Sequence, residues 1–142
     1  EKVREIVDEY AAELQRSGHD QQLIEDNLAQ VGVLRHVYVG ESDAEAQAVV
    51  RAPTEMLLRR LDALTTVAGE GSGEGIEEEL ENYLQTRFIA GSATGACEEV
   101  AALKEAGCGE VLCWFRWGAM GSEEARASMR RFSDQVACQF EG

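Results

Sequence analysis

The chain has 142 residues, enough for one domain with a buried core and too few for two large ones. Its formal net charge of −14 would repel nucleic-acid phosphates and anionic membranes, so neither is expected as a partner. No apolar run approaches the roughly 18 residues needed to cross a bilayer. The segment Glu1–Arg4 enters a helical pattern directly, without a signal-peptide layout, which predicts a cytoplasmic protein.

The first half of the chain reads as helix, helix, strand, helix. Apolar residues recur at helical spacing over 3–14, and a shorter helical stretch surrounds 23–28. The segment Val33–Val39 is β-branched and aromatic, which predicts a strand. Ser42 and Glu45 then have the spacing of a capping box and begin a third helix. Pro53 is expected to break or kink this helix before its apolar stripe continues over 56–64, because proline lacks the N–H that the helix needs.

The second half alternates strands with helices after a loop. The segment Gly69–Gly75 contains only glycine, serine and glutamate and is predicted to be a flexible loop. Helices are predicted from Ile76 to Leu84, from Thr94 to Ala106 and, capped by Ser122, to Val136. Strands are predicted at Arg87–Ala90 and Glu110–Phe115, and the second is apolar enough to be buried on both faces.

This alternation predicts an α/β fold whose parallel strands are joined by right-handed crossovers. A closed (β/α)8 barrel takes about 250 residues, and three strands cannot close one. The carboxylates of 77–81 read as a solvated helix face. The pattern continues on both sides of the predicted loop, so residues 1–142 are interpreted as one unit.

The cysteines and histidines lack the close pairing that is typical of a zinc site, so no metal is expected. They are Cys97, Cys108, Cys113, Cys138, His19 and His36. Without a secretory signal, disulfides are not expected either, and we interpret the thiols as small apolar residues. His36 lies inside a predicted strand with no visible partner, so a core position and a catalytic role both stay open.

Two stretches resemble the bacterial-luciferase-like, flavin-dependent monooxygenase family. Arg35–Val39 followed by Glu41–Ala46 is similar to a late barrel strand of the family and the helix after it. The segment Phe88–Val136 is similar to the last two β/α units, with an aromatic-glycine turn and a closing helix. The resemblance therefore implies a partial TIM (β/α)8 barrel, made of about three C-terminal β/α units with parallel strands.

The chain departs from the family pattern at two helix ends. Ala93 and Thr94 stand where the family usually has proline and glutamate, and Cys138 stands where a proline is common. These departures indicate a divergent member, because they affect helix termini more than chemistry.

The resemblance also implies a cofactor and a reaction. Enzymes of this family use reduced flavin, generally FMN, and molecular oxygen to oxidise small organic substrates, and some relatives use F420 for hydride transfer. Much of the flavin-phosphate site and the usual catalytic histidine come from the earlier half of the barrel, which this chain lacks. We therefore assign no catalytic residue and expect the isolated chain to be inactive.

Barrel active sites lie at the carboxyl ends of strands, which selects four candidate cofactor-binding residues. Gly91 and Ser92 precede a helix and can present backbone N–H groups to an anion, although an ordinary capped turn fits equally well. Arg116 can meet a phosphate or flavin edge beside Trp117, although a surface ion pair and a packed ring explain the same residues.

A rival interpretation is a non-catalytic association module. An open half-barrel leaves strand edges unpaired and apolar strand faces uncovered, which favours pairing with another chain. A homo-oligomer or a complex with the missing N-terminal half of the barrel is therefore expected.

Overall fold

The computed structural model describes residues 2–67 and 75–140. Its elements, in chain order, are α1 (Lys2–Arg16), α2 (Gln21–Leu28), β1 (Gly32–Val39), α3 (Asp43–Val67), α4 (Ile76–Arg87), β2 (Phe88–Gly91), α5 (Ala93–Glu105), β3 (Glu110–Trp114) and α6 (Ser122–Arg131). The helix α6 continues into a π-helical turn, Phe132–Val136, and a short 3-10 turn, Ala137–Gln139. The α/β class and all three predicted strands are confirmed. The predicted loop at 69–75 lies outside the described residues except for Gly75.

The three strands form one parallel sheet with β1 in the centre, in the order β2-β1-β3. Successive strands of a (β/α)8 barrel are neighbours in sequence order, so a barrel fragment would place β2 in the centre. The connection from β2 to β3 instead passes over β1. Right-handed crossovers that move in opposite directions place their helices on opposite faces of the sheet.

Two separate apolar clusters confirm that helices cover both faces. On one face, Val37, Val39 and Ile89 pack with Ala96 and Leu103 of α5. On the other face, Tyr38 and Phe88 pack with Ala46 and Val50 of α3 and with partly buried side chains of α4. The sheet is therefore the middle layer of three.

Pro53 does not break α3, so the predicted break is wrong. The helix runs without interruption from Asp43 to Val67. The hydroxyl of Thr54, the next residue, donates to the carbonyl of Val50 at 2.6 Å. Burial against the sheet holds this part of the helix in place, since Val50 and Thr54 are 1% and 0% exposed. Tertiary packing thus offsets the missing proline N–H.

The prediction that β3 is buried on both faces is also wrong. Leu112 and Trp114 are 53% and 41% exposed, because β3 is an edge strand and α3 and α4 lie over β1 and β2. The last helix begins differently from the prediction as well. Ser122 is its first residue rather than its cap, and the carboxylate of Glu124 accepts the Gly121 N–H at 3.0 Å.

Candidate functional site

The carboxyl ends of the three parallel strands meet at one edge of the sheet. In open α/β sheets this edge is where ligands bind, especially where neighbouring connections leave for opposite faces. Here α3 follows β1 on one face and α5 follows β2 on the other. The segments at this edge, where the three strands end, are 40–43, 91–92 and 115–118.

A carboxylate of the chain itself occupies the start of α5. The Oδ1 atom of Asp43 accepts the Ser92 N–H at 2.6 Å, and this bond lowers the pKa of the Asp43 carboxyl. A Cβ atom at Gly91 would lie 2.7 Å from the same oxygen, so glycine permits the close approach. The Ser92 hydroxyl accepts the Gly95 N–H at 3.3 Å and caps the helix. The Ser92 N–H, which was predicted to help receive an external anion, therefore already donates to an internal one.

A second carboxylate orders the turn after β1. Glu45 accepts the Tyr38 hydroxyl at 3.2 Å and the Glu41 N–H at 3.0 Å. Burial, followed by the nearby Glu45 charge, raises the pKa of Tyr38 to about 12. Ser42 accepts the Glu45 N–H at 3.2 Å, as in the predicted capping box. The return bond differs, since Glu45 accepts from Glu41 rather than from Ser42.

The helix α6 closes the carboxyl end of β1. The hydroxyl of Ser128 is fully buried and accepts the Val39 N–H at 2.9 Å. The pairing of β1 with β3 ends at His36, so β3 does not reach the Val39 N–H. The Ser128 hydroxyl takes the place that a carbonyl of a neighbouring strand would have. The Arg131 guanidinium donates to the Val39 carbonyl and to the Glu41 carboxylate, each at 3.3 Å. Access to the end of β1 is therefore restricted by the chain itself.

We expect Ser128→Ala to lower the free energy of unfolding by about 1–3 kcal/mol, because it leaves the buried Val39 N–H without a partner. Urea denaturation followed by circular dichroism measures the change. Ser133→Ala is the matched control, since Ser133 is exposed on the following turn. Equal stabilities of the two variants would contradict this role of Ser128.

Trp117 belongs to the core rather than to an open pocket. It is 3% exposed, and its indole Nε1 donates to the Thr54 hydroxyl at 3.0 Å. Its ring meets Phe88 edge-on, with 5.1 Å between the ring centroids. Trp117 thus links the segment after β3 to the middle of α3 through its hydrogen bond to Thr54. A flavin cannot reach this ring without displacing that packing.

Arg116 is the one predicted cofactor residue that stays open to solvent. Its Nε donates to the Met120 carbonyl at 3.2 Å, and its own carbonyl accepts the Trp114 indole N–H at 2.5 Å. Among the described residues, none accepts a hydrogen bond from the terminal guanidinium nitrogens of Arg116. A phosphate or carboxylate can therefore approach them.

His36 lies in an aromatic enclosure on the face of the sheet that α3 and α4 cover. Its ring stacks between Phe88 and Trp114, at centroid distances of 4.9 and 4.6 Å, and meets Tyr83 and Trp117 edge-on. The imidazole is 2% exposed, and its Nε2 has no hydrogen-bond partner among the described residues. Burial lowers the pKa of His36 to about 4. The ring is therefore neutral at pH 7 and serves as part of the core.

The described residues contain no group of three metal-ligating side chains and no helix suited to crossing a membrane. The four cysteines are free, and Cys138 is exposed rather than buried. Sequence reasoning did not single out Asp43 or Ser128. The signal for Asp43 was present as an acidic residue in the first turn of a helix that follows a strand. Ser128 gave no comparable signal, since its partner is 89 residues away.

Comparison with protein-family models and with curated protein sequences gives no match. The assignment of a function therefore depends on the motifs and on the site.

Proposed function

We propose that this chain is the C-terminal part of a luciferase-like, flavin-dependent monooxygenase that oxidises a small organic substrate with molecular oxygen. The order of the family-like motifs along the elements is the observation that carries the proposal. The segment 35–39 lies in β1, which leads into α3. The segment 88–91 is β2 and leads into α5, and 110–114 is β3 and leads into α6. Each motif thus falls on one strand and the helix that follows it.

The residues of this chain do not fit a complete flavin-phosphate site. Asp43 already binds the N–H of Ser92, and a phosphate there would meet a like charge. Trp117 is buried, which leaves Arg116 alone as an accessible anion-binding candidate. In the whole enzyme reduced FMN, or F420 in the alternative, would supply the redox chemistry. This chain contributes the framework of the carboxyl edge, and by itself it is inactive.

The barrel part of the proposal requires a change of strand order. In a (β/α)8 barrel β2 would lie between β1 and β3, whereas here it lies beside β1 on the outer side. The missing half of the barrel would have to move β2 when it joins. Without such a rearrangement, the chain would share the β/α units of the family but would not form part of a closed barrel.

FMN titration of the chain, alone and after co-expression with the N-terminal half of a luciferase-like barrel, tests the proposal. We expect saturable binding, with a dissociation constant on the order of micromolar, only in the reconstituted complex. Arg116→Gln should weaken that binding by about tenfold, because an accessible charged hydrogen bond to the phosphate is lost. Arg126→Gln is the control, since Arg126 only pairs with Glu123 on the surface of α6.

Flavin fluorescence and anaerobic reduction followed by oxygen uptake provide the readouts. A reconstituted complex that binds no FMN would overturn the family proposal. Saturable FMN binding by the chain alone would overturn the statement that its flavin site is incomplete.

A non-catalytic association module is the second candidate, and the uncovered part of the sheet favours it. Leu34 and Leu112 are paired neighbours that are 52% and 53% exposed, and Trp114 beside them is 41% exposed. Such adjacent apolar side chains are typical of a contact surface. Sedimentation velocity at rising concentration distinguishes this candidate, since a strict monomer would not use the surface for self-association.

A further inference from the structure

The outer edge of β2 faces a groove between the two helix layers. The groove has a volume of about 580 Å³, and Phe88, Ala90 and Gly91 form its floor. Side chains of α3 and α4 form one wall, and Gly95, Glu98 and Glu99 of α5 form the other. Because β2 pairs only with β1 among the residues that the structure describes, the groove runs beside a strand edge with no partner in residues 2–67 and 75–140.

The backbone of Ala90 points into this groove. The Gly91 carbonyl accepts the Gly40 N–H at 2.9 Å, so the peptide groups of Gly91 face β1. Successive residues of a strand direct their N–H and C=O groups to opposite sides, which turns those of Ala90 outward. The edge therefore offers a donor and an acceptor to another extended chain.

The charge of the groove selects its partner. Its lining has four carboxylates, those of Asp43, Glu81, Glu98 and Glu99, against the single guanidinium of Arg51. Asp43 binds Ser92 and Glu81 binds Arg51, whose other terminal nitrogen binds Glu77. Glu98 and Glu99 have no ion pair among the described residues, although the Arg35 charge attracts Glu99. The wall formed by α5 thus carries a net negative charge.

We propose that the groove binds an extended segment of a partner chain, which adds as a fourth strand to the β2 edge and carries lysine or arginine at alternate positions. Side chains of a strand alternate between its two faces. All of the basic side chains would therefore lie on one face of the segment and point toward Glu98 and Glu99, while the backbone of the segment bonds to Ala90. A second copy of this acidic chain is a poor occupant, because like charges would meet in the groove.

This interaction is independent of the flavin proposal, and it is tested without any flavin. The probes are fluorescein-labelled extended peptides of about six residues. One alternates valine with lysine, and its counterpart has glutamate in place of lysine. Fluorescence anisotropy at low and at physiological salt measures binding to the whole chain. We expect saturable binding of the lysine peptide alone, weakened by salt.

Ala90→Pro removes the outward N–H, and proline is tolerated on the exposed side of an edge strand. We expect it to weaken binding of the lysine peptide by about tenfold, as for a lost backbone hydrogen bond. Ala90→Ser keeps the N–H and should bind the lysine peptide more tightly than Ala90→Pro does. Glu98→Gln tests the charge without altering the strand, and it should weaken binding of the lysine peptide and reduce its salt dependence.

Circular dichroism spectra establish whether each variant is folded. If Ala90→Pro does not fold, binding to the Glu98→Gln variant decides the outcome. Equal binding of both peptides, or no binding of either, would overturn the proposal. Unchanged affinity of the folded Ala90→Pro variant would do so too. If Ala90→Pro abolishes self-association of the chain rather than peptide binding, the occupant is a second copy and the proposed partner is wrong.

Discussion

Replacing His36 by phenylalanine is expected to raise the free energy of unfolding at pH 7 by about 1–3 kcal/mol. The buried Nε2 atom of His36 has no partner among the described residues, so the folded state loses the hydrogen bond that water gives in the unfolded state. Phenylalanine keeps an aromatic ring between Phe88 and Trp114 and removes that atom. Urea denaturation followed by circular dichroism measures the difference.

The same substitution should flatten the acid dependence of stability. Burial lowers the pKa of His36 from 6.5 to about 4, so between these values the unfolded chain binds a proton that the folded chain does not. Stability is therefore highest above pH 6.5 and falls as the pH drops through this window. The full difference amounts to about 3 kcal/mol, at about 1.36 kcal/mol for each pH unit.

The informative quantity is the difference in stability between the wild type and the His36→Phe variant at each pH, because this difference isolates the contribution of His36. His19→Phe is the matched control, because it makes the same substitution at an exposed position. A His36→Phe variant that is less stable than wild type at pH 7, with a difference independent of pH, would show that Nε2 has a partner and would sink this interpretation.

The second large effect is expected at Gly118, where alanine should cost at least about 2–3 kcal/mol of stability. This glycine has φ +54°, a left-handed conformation that disfavours a Cβ atom. The added Cβ would also lie 2.1 Å from the Pro53 carbonyl oxygen. Since that oxygen belongs to the backbone of α3, the contact is relieved only if the turn moves away and stretches the Trp117–Thr54 hydrogen bond.

Gly18→Ala isolates the conformational part of this cost. Gly18 has φ +77°, and a Cβ there would meet nothing within 4 Å. We expect it to cost about 1 kcal/mol. Denaturation midpoints of both variants, with slopes checked for two-state behaviour, provide the comparison. Equal costs at the two positions would mean that the close approach of Gly118 to α3 is unimportant.

Local signals predicted the elements well because their causes lie within a few residues. The β-branched and aromatic side chains of Val33–Val39 predicted β1, and Ser92 caps α5 as an ordinary turn would. The predicted start of α6 was wrong by one residue, whereas the failures at Pro53 and β3 involve distant partners. Pro53 stays inside α3 because that helix is buried against the sheet. Leu112 and Trp114 of β3 are exposed because α3 and α4 lie over β1 and β2.

The features of the candidate site also divide into those that local sequence predicted and those that depend on distant contacts. The sequence selected the strand ends, and Gly91 and Arg116 do lie there. It did not reveal that Asp43 would reach Ser92 across 49 residues. Nor did it reveal that Trp117 would turn inward to Thr54, 63 residues away. Both outcomes follow from the packing of β1 beside β2 and from the close approach of α3 to the turn after β3.

By itself the sequence determined the parallel α/β class, the three strands and the placement of the helices between them. These properties follow from hydrophobic periodicity and capping, which act over a few residues. Only the tertiary structure decided the strand order β2-β1-β3, the enclosure of His36 by four rings and the open edge of β2. The physical reason is that strand pairing joins residues far apart in the chain. Periodicity encodes which face of a strand is apolar, but not which strand lies beside it.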